Sequence, residues 1–459
     1  MTEVGTISNQ ARPIRAQGDS EMRLARRLAG LGLAAAALIG FASIGFASGA
    51  KAQEKKFKIG VIYDYSGPLA GGGSNLHGLG AKIMIEHFQS KGPIEGYTVE
   101  AIYADAQSKP EVAINEAVRL IEQEKVDMLL GFFSSAQCVP VAGRIEQLGK
   151  FMWITTCIST AVLENRNYRN VFRAQPMGQH FGVASTDMVA GYAQEKFGKA
   201  PKDLRVAIIH EDGAYGVDVA KGNEAGAAKH GLNVVLKEGY AATAPDLSAL
   251  DTKLRRARPD VILHTGYNPD ISLFLRQARE GGLKFGALVG HGAGYGVPEK
   301  LREALGKDLV GFFNVDPISI WEGNQAALTP DLPPMVKMIG EAYDKAQPGN
   351  QRSAHVGMSA SNVYLFFQHV LPRAIKVHGG VSAAALRKAA LEIDLQEGGT
   401  MLGFGVKFLA DGPLAGQNER ALPVVIEYTA TGSDVVWPKS LAKRAPTLPL
   451  PADNPYSTR

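Results

Sequence analysis

At 459 residues, with 45% hydrophobic and 20% charged residues, the chain has ordinary globular composition and is too long for a single core, so two lobes are expected. Most of its formal charge of +4 sits in the N-terminus: residues 1–52 hold six of the 49 Lys/Arg and three of the 45 Asp/Glu, which leaves 43 bases against 42 acids. That balance gives no electrostatic footprint for nucleic acid, and two cysteines with no His or Cys spacing of the required kind give no zinc site.

The N-terminal stretch reads as a leader rather than fold. Arg23, Arg26 and Arg27 precede an uncharged Ala/Leu/Gly/Ile run from Leu28 to Phe46, and Ala50-Lys51-Ala52 supplies the small-x-small pattern of a cleavage site. Residues 1–52 are therefore expected to be a secretory signal peptide cut after Ala52, with Met22 as an alternative start; the run approaches the length of a membrane anchor, the competing reading. An exported chain could pair Cys138 with Cys157, since such compartments are oxidising.

Lys58–Tyr63 is a β-branched run that stops in the Gly/Pro/Ser loop Ser66–Ser74, and a helix is expected from Leu79 to Phe88. Strands follow at Tyr97–Tyr103, Val126–Gly131 and Phe151–Thr155, with helices from about Pro110 and from about Val139 to Leu148. The pattern then restarts: strands at Arg205–His210, Leu232–Leu236, Asp260–Gly266 and Phe285–Gly290, with helices to Lys229, around Leu247–Leu254 and over Ile271–Arg279. Strands alternating with helices of this length mean a parallel sheet covered on both faces, here twice over. Crossings between the halves are expected at 171–176 and near Asp316-Pro317, followed by helices over Gly357–Ile375 and Ala383–Ile393 and a last strand in Leu422–Tyr428. The four prolines of 445–459 suggest an extended or disordered tail.

The loops at strand ends carry the candidate chemistry, because open α/β sheets bind ligands there. Gly71-Gly72-Gly73 lacks the Lys-Ser/Thr of a phosphate loop, and Gly292–Gly296 lacks the helix and acid of a dinucleotide site. Ser134-Ser135 and Ser159-Thr160 end neighbouring strands; hydroxyls beside helix N-termini suit a carboxylate, although Ser and Thr also cap helices. Tyr215 and Tyr267 offer flat apolar faces with one hydroxyl each, suited to closing over a small organic molecule. No G-x-S-x-G elbow appears. A hydrolase would have to use Cys157 or one of His210, His264 and His291.

Ser66-Gly67-Pro68-Leu69-Ala70, Phe132–Ser135, Ile154–Thr160, Ile208–Gly216 and Gly266–Asp270 through Leu275–Arg279, in that order, resemble the leucine/isoleucine/valine-binding family, type I periplasmic substrate-binding proteins of ABC importers. The resemblance covers nearly all of the chain after the leader. It implies an α/β fold of two Rossmann-like lobes joined by three crossover strands, with a ligand cleft between them. The lobes are then 53–173 with 317–410 and 174–316 with 411–444, leaving 445–459 as a tail. It also implies a non-enzymatic periplasmic monomer without cofactor, which delivers a small molecule to an inner-membrane ABC permease; a periplasmic sensor is the alternative.

Carried over by position, Ser135, Cys157 and Ser159 hold the ligand carboxylate, with Tyr65, Ser66 and Ser134 nearby, and Tyr215 and Tyr267 close from the second lobe. Two departures stand out. His291 falls where amino-acid binders place an acid for the ligand ammonium, and Gly71–Gly73 falls where they place an aromatic platform. An ammonium would lose a charge-assisted partner worth about 2–3 kcal/mol. The departures point to an acid with an uncharged or aromatic body rather than a plain branched-chain amino acid.

Overall fold

The structure is a computed structural model and describes residues 55–459; the expected leader and its cleavage site lie outside the described residues. Five parallel strands form the first sheet: β1 (Lys55–Tyr63), β2 (Tyr97–Asp105), β3 (Met128–Gly131), β4 (Phe151–Ile154) and β5 (Val171–Arg173). Their order is β2-β1-β3-β4-β5. All four residues of β3 and of β4 are buried, as expected for strands covered on both faces. Pro110 opens the helix Pro110–Glu122, a position where its missing N–H costs nothing.

The second sheet has seven strands: β6 (Arg205–Glu211), β7 (Asn233–Tyr240), β8 (Val261–Thr265), β9 (Ala287–His291), β10 (Phe313–Asp316), β11 (Val424–Tyr428) and β12 (Ser433–Trp437). They run in the order β12-β11-β10-β9-β8-β6-β7. β11 is antiparallel to both β10 and β12. β12 and the helix Gly178–Tyr192 go beyond the elements read from sequence. The helix is built of Gly, Ala, Ser and Thr as much as of large apolar residues, so it shows little periodicity. It packs backbone to backbone on Ala214–His230: a Cβ on Gly222 would lie 2.2 Å from the Gln179 carbonyl oxygen, and one on Gly182 2.3 Å from the Asn223 nitrogen.

Between β10 and β11 the chain returns to the first lobe. Its helix Ala354–Leu365 continues through Phe366–Val370 into Leu371–His378. Phe366 stacks on Phe57, and Trp153 Nε1 donates to the Asn362 carbonyl at 3.0 Å. The expected boundary at 410/411 needs correction. The stretch through Gly416 stays on the first lobe, where Asn165 N–H donates to the Pro413 carbonyl and Arg173 N–H to that of Gly416.

Three crossings join the lobes. Residues 174–176 and 417–421 run side by side, tied by Gln417 Nε2 to the Gln175 carbonyl at 2.7 Å and by Asn418 Nδ2 to that of Ala174 at 3.1 Å; the third follows Asp316. Val171–Arg173, read from sequence as part of the first crossing, is instead the edge strand β5.

The tail is the clearest correction. It carries no helix or strand, yet it is packed, not loose: Leu450 and Tyr456 are fully buried. Tyr456 stacks on Phe285, and its hydroxyl donates to the Leu275 carbonyl at 2.7 Å. Its prolines fix an extended path, while its apolar side chains complete the second core.

Candidate functional site

The carboxyl ends of β1, β3 and β4 face those of β6, β8, β9 and β10 across a closed cleft. Its cavity is small and is lined from both lobes. The first lobe contributes His77, Phe133, Ser135, Thr156, Ile158, His355 and Met358. Tyr215, Tyr267, Phe181, Gly292, Ala293 and Asp316 line the opposite wall, with Gln175 from the crossing.

Ser135 reaches this wall because β3 ends in a sharp turn. Gly131 has φ +128° and Phe132 φ +72°, so the chain reverses before the helix Ser135–Gln147 begins. That helix start leaves first-turn N–H groups with no carbonyl upstream to accept them. Ser134 occupies the capping position without a side-chain cap bond; its hydroxyl lies 3.5 Å from that of Tyr267 on the other lobe. Ser159 stands behind Ser135: its N–H donates to Ser135 Oγ at 3.2 Å, and its own hydroxyl is buried without a partner among the described residues.

The aromatic groups form one continuous surface. Tyr215 and Tyr267 have ring centroids 5.3 Å apart, Phe133 lies 5.9 Å from Tyr267, and His77 stacks on His355 at 4.3 Å. Burial, and for His77 the neighbouring His355, holds His77 well below the ordinary imidazole value; burial lowers His355 to about 4. Both are neutral near pH 7. Burial likewise keeps both tyrosine hydroxyls protonated. Among the described residues no Lys or Arg lines the cavity, and the one acid that does, Asp316, is raised by burial to about 7 despite a hydrogen bond from Asn314. Both polar atoms of the Gln175 amide and the Nδ1 atoms of His77 and His355 are buried without partners among the described residues. Buried polar atoms left unpaired are costly, so the cavity is built to receive hydrogen bonds.

Of the residues expected at the site, Ser135, Tyr215 and Tyr267 line it, and Ser134 and Ser159 adjoin it. Four are placed elsewhere. Tyr65 is 41% exposed, and Ser66 Oγ donates to Asp105 at 2.6 Å; that carboxylate also accepts the Tyr65 and Ser66 N–H groups and draws the loop outward. Cys157 is disulfide-bonded to Cys138, so it offers a ligand no thiol and a hydrolase no nucleophile. The His291 imidazole does not line the cavity; it packs beneath the helices Gly178–Tyr192 and Ala214–His230, where Nε2 lies 3.0 Å from Ser185 Oγ and Nδ1 2.9 Å from Thr265 Oγ1. Only its carbonyl serves the cleft, by accepting the Tyr215 hydroxyl.

Both departures read from the sequence resolve differently in space. The acid is present, but as Asp316 at the end of β10. Room left by the three glycines is filled by the His77–His355 pair: a Cβ on Gly73, at φ +128°, would lie 2.7 Å from His355 Nδ1. Asp316 was hidden in an Asp-Pro pair read as a crossing between the lobes. His77 and His355 carry no local signal, because their meeting depends on contacts 278 residues apart.

A family model described as a periplasmic binding protein matches residues 56–424. The chain belongs to that family. A relative in this periplasmic binding protein family, the Leu/Ile/Val-binding protein homolog 7 of Brucella suis, is 33% identical over 414 residues, covering 90% of this chain and 99% of its own. Two solved structures share the fold. The leucine binding protein LivK of Thermotoga maritima has a TM-score of 0.68 at 22% identity, covering 83% of this chain and 97% of that one. An ABC transporter solute binding protein of R. palustris in complex with benzoate has a TM-score of 0.66 at 17% identity, covering 83% and 95%. The relatives are named as binding proteins, and the two-lobed α/β architecture is theirs.

Proposed function

We propose that this chain is the exported, periplasmic solute-binding component of an ABC importer, cleaved from its leader after Ala52. It works as a monomer that hands a small carboxylate-bearing organic molecule to an inner-membrane permease. The observation that carries the reading is the corner where Ser135 and the start of its helix face the Tyr215–Tyr267 pair across the cleft, with the Gln175 amide beside it unpartnered among the described residues. The helix start and hydroxyls bind the carboxylate without a cation. The rings of Phe133, Tyr215 and Tyr267 flank the apolar body, and closure excludes water. A Leu/Ile/Val-binding relative and a benzoate-bound fold neighbour support aliphatic and aromatic acids as the classes to test.

Isothermal titration of the purified protein with leucine, benzoate and a panel of short acids and amides tests this. Saturable one-to-one binding of a carboxylate, weakened at least tenfold by Ser135→Ala, is expected. Binding confined to uncharged amides, or no binding across the panel, overturns it.

A further inference from the structure

His264 is buried in β8 behind the second-lobe wall of the cleft, with a hydroxyl at each ring nitrogen: that of Tyr240 lies 2.8 Å from Nε2 and that of Tyr295 2.7 Å from Nδ1. The Tyr240 hydroxyl also donates to Asp270 Oδ2 at 2.6 Å, and Asp270 Oδ1 accepts the Tyr267 N–H at 3.0 Å. None of these four side chains lines the cavity, yet their chain ends at both segments of the wall that do. Asp270 holds the backbone of Tyr267 at the start of the helix Asn268–Glu280, and Tyr295 follows the lining residues Gly292 and Ala293.

The space is cut for this chain. A Cβ on Gly266 would lie 2.3 Å from Asp270 Oδ2 and 2.6 Å from the Tyr240 hydroxyl. One on Gly294 would lie 2.5 Å from the Asn268 nitrogen, so the two wall segments meet backbone to backbone.

Counting protons fixes the direction of every bond. Burial raises Asp270 to about 7, so at pH 8 it is ionised and accepts only. Tyr240 has one proton and gives it to that carboxylate, so its oxygen must accept from His264 Nε2–H. Burial holds His264 at about 3, so the ring is neutral, and its bare Nδ1 accepts from Tyr295. All the bonds then run one way, from Tyr295 to Asp270, an arrangement in which each strengthens the next.

We propose that Tyr240 is a positioning residue of the binding site: with Asp270, His264 and Tyr295 it fastens the Tyr267 jaw and the Gly292-Ala293 segment into one rigid wall without touching the ligand. This deepens the small-acid reading above and rests on it.

Two measurements test the assignment. Nitrogen-15 NMR at pH 8 is expected to find the His264 proton on Nε2. Asp270→Asn keeps an oxygen for the Tyr267 N–H but turns the atom facing Tyr240 into a donor. Tyr240 must then give its proton to His264, and the imidazole proton is expected to move to Nδ1. An unchanged tautomer overturns the inference.

Titration with leucine, benzoate and the short acids is the second measurement. Tyr240→Phe is expected to weaken whichever acid binds at least fivefold, and Asp270→Asn, which keeps each bond, at most about threefold. With Tyr267→Leu in place, Tyr240→Phe is expected to add less than twofold, because residues acting as one unit are not additive. Undiminished affinity in Tyr240→Phe, or the same loss in both backgrounds, overturns the inference. Should Tyr240→Phe fail to fold, Tyr295→Phe, which cuts the far end of the chain, is expected to cost at least threefold, and no loss there overturns it equally. If an acid binds the wild type and these variants alike, the positioning role alone is refuted. If no acid binds the wild type, the carboxylate reading falls and this inference with it.

Discussion

Asp218 of the second lobe accepts two hydrogen bonds from Thr160 of the first, from its N–H and its hydroxyl, both at 2.8 Å. The neighbouring residue, Ser159, donates its N–H to Ser135 at the cavity wall and gives its carbonyl to buried Arg173 at 2.6 Å. One short loop therefore touches the site on one side and the lobe-to-lobe contact on the other.

Asp218→Ala removes both bonds. Hydrogen bonds to a charged group contribute roughly 1.5–3 kcal/mol each, partly replaced by water when the cleft opens. Ligand affinity is expected to fall at least tenfold, and the radius of gyration by X-ray scattering to rise in the absence of ligand. Asp218→Asn, which keeps one acceptor oxygen, should fall between. Unchanged affinity and shape in the alanine variant would show that the contact does not hold the lobes together.

Burial raises Asp316 to about 7, so between its ordinary carboxylate range and about pH 7 the folded protein binds a proton that the unfolded chain has lost. Stability from this group is highest in acid and declines as pH rises through about 7. Asp316→Asn should therefore stabilise the ligand-free protein by a few kcal/mol at pH 8, at about 1.4 kcal/mol for each pH unit by which the two states differ, and by almost nothing at pH 4. The buried imidazoles of His291 and His355, both held at about 4, have the opposite sign. The unfolded chain takes up their protons first, so stability is lost as pH falls from about 6.5 toward 4. Denaturant melts across pH 4–8 separate the two trends, and a pH-independent gain for the Asn variant would refute the assignment to Asp316.

Cys138 and Cys157, 19 residues apart in sequence, tie the helix that carries Ser135 to the loop that carries Ser159. Closing a loop of that length restricts the unfolded chain by about 3 kcal/mol in the entropy model. The double variant Cys138→Ser/Cys157→Ser should melt several degrees lower and bind its ligand more weakly, since both Ser135 and Ser159 lose an anchor. A lowered melting temperature with affinity intact would confine the bond to a stabilising role.

Gly222→Ala tests the helix pair behind the second sheet. The new methyl meets the Gln179 backbone at 2.2 Å, an atom that cannot rotate away, and overpacking of this kind costs typically 1–3 kcal/mol. Gly432→Ala is the control, because a Cβ there has no heavy atom within 4 Å. Chemical denaturation should separate the two by at least 1 kcal/mol.

The strands near the start of each lobe were legible because β-branched runs such as Lys58–Tyr63 and Arg205–His210 end abruptly in small or polar residues, a purely local signal. The aromatic jaws Tyr215 and Tyr267 were legible for the same reason: each follows a strand end closely, so topology alone delivers it to the cleft. What escaped was set by contacts far apart in sequence. The helix Gly178–Tyr192 hides because its face toward Gly222 is selected for smallness rather than for hydrophobicity. His291 looked like a cleft residue, but its imidazole is taken up beneath the two helices by Ser185 and Asn223, partners far from it in sequence. Asp316 became part of the site only through the pairing of β10 with β9, which sets the end of that strand at the cleft.

β11, β12 and the packed tail reach the second lobe only after more than a hundred residues have been spent on the first. Until those segments are in place, Phe285 lacks the ring of Tyr456 and β10 has no partner on its outer edge. The first sheet has all five of its strands in hand while the second is still open. A chain truncated before β11 would leave that second sheet with a bare edge, a template for pairing with other chains.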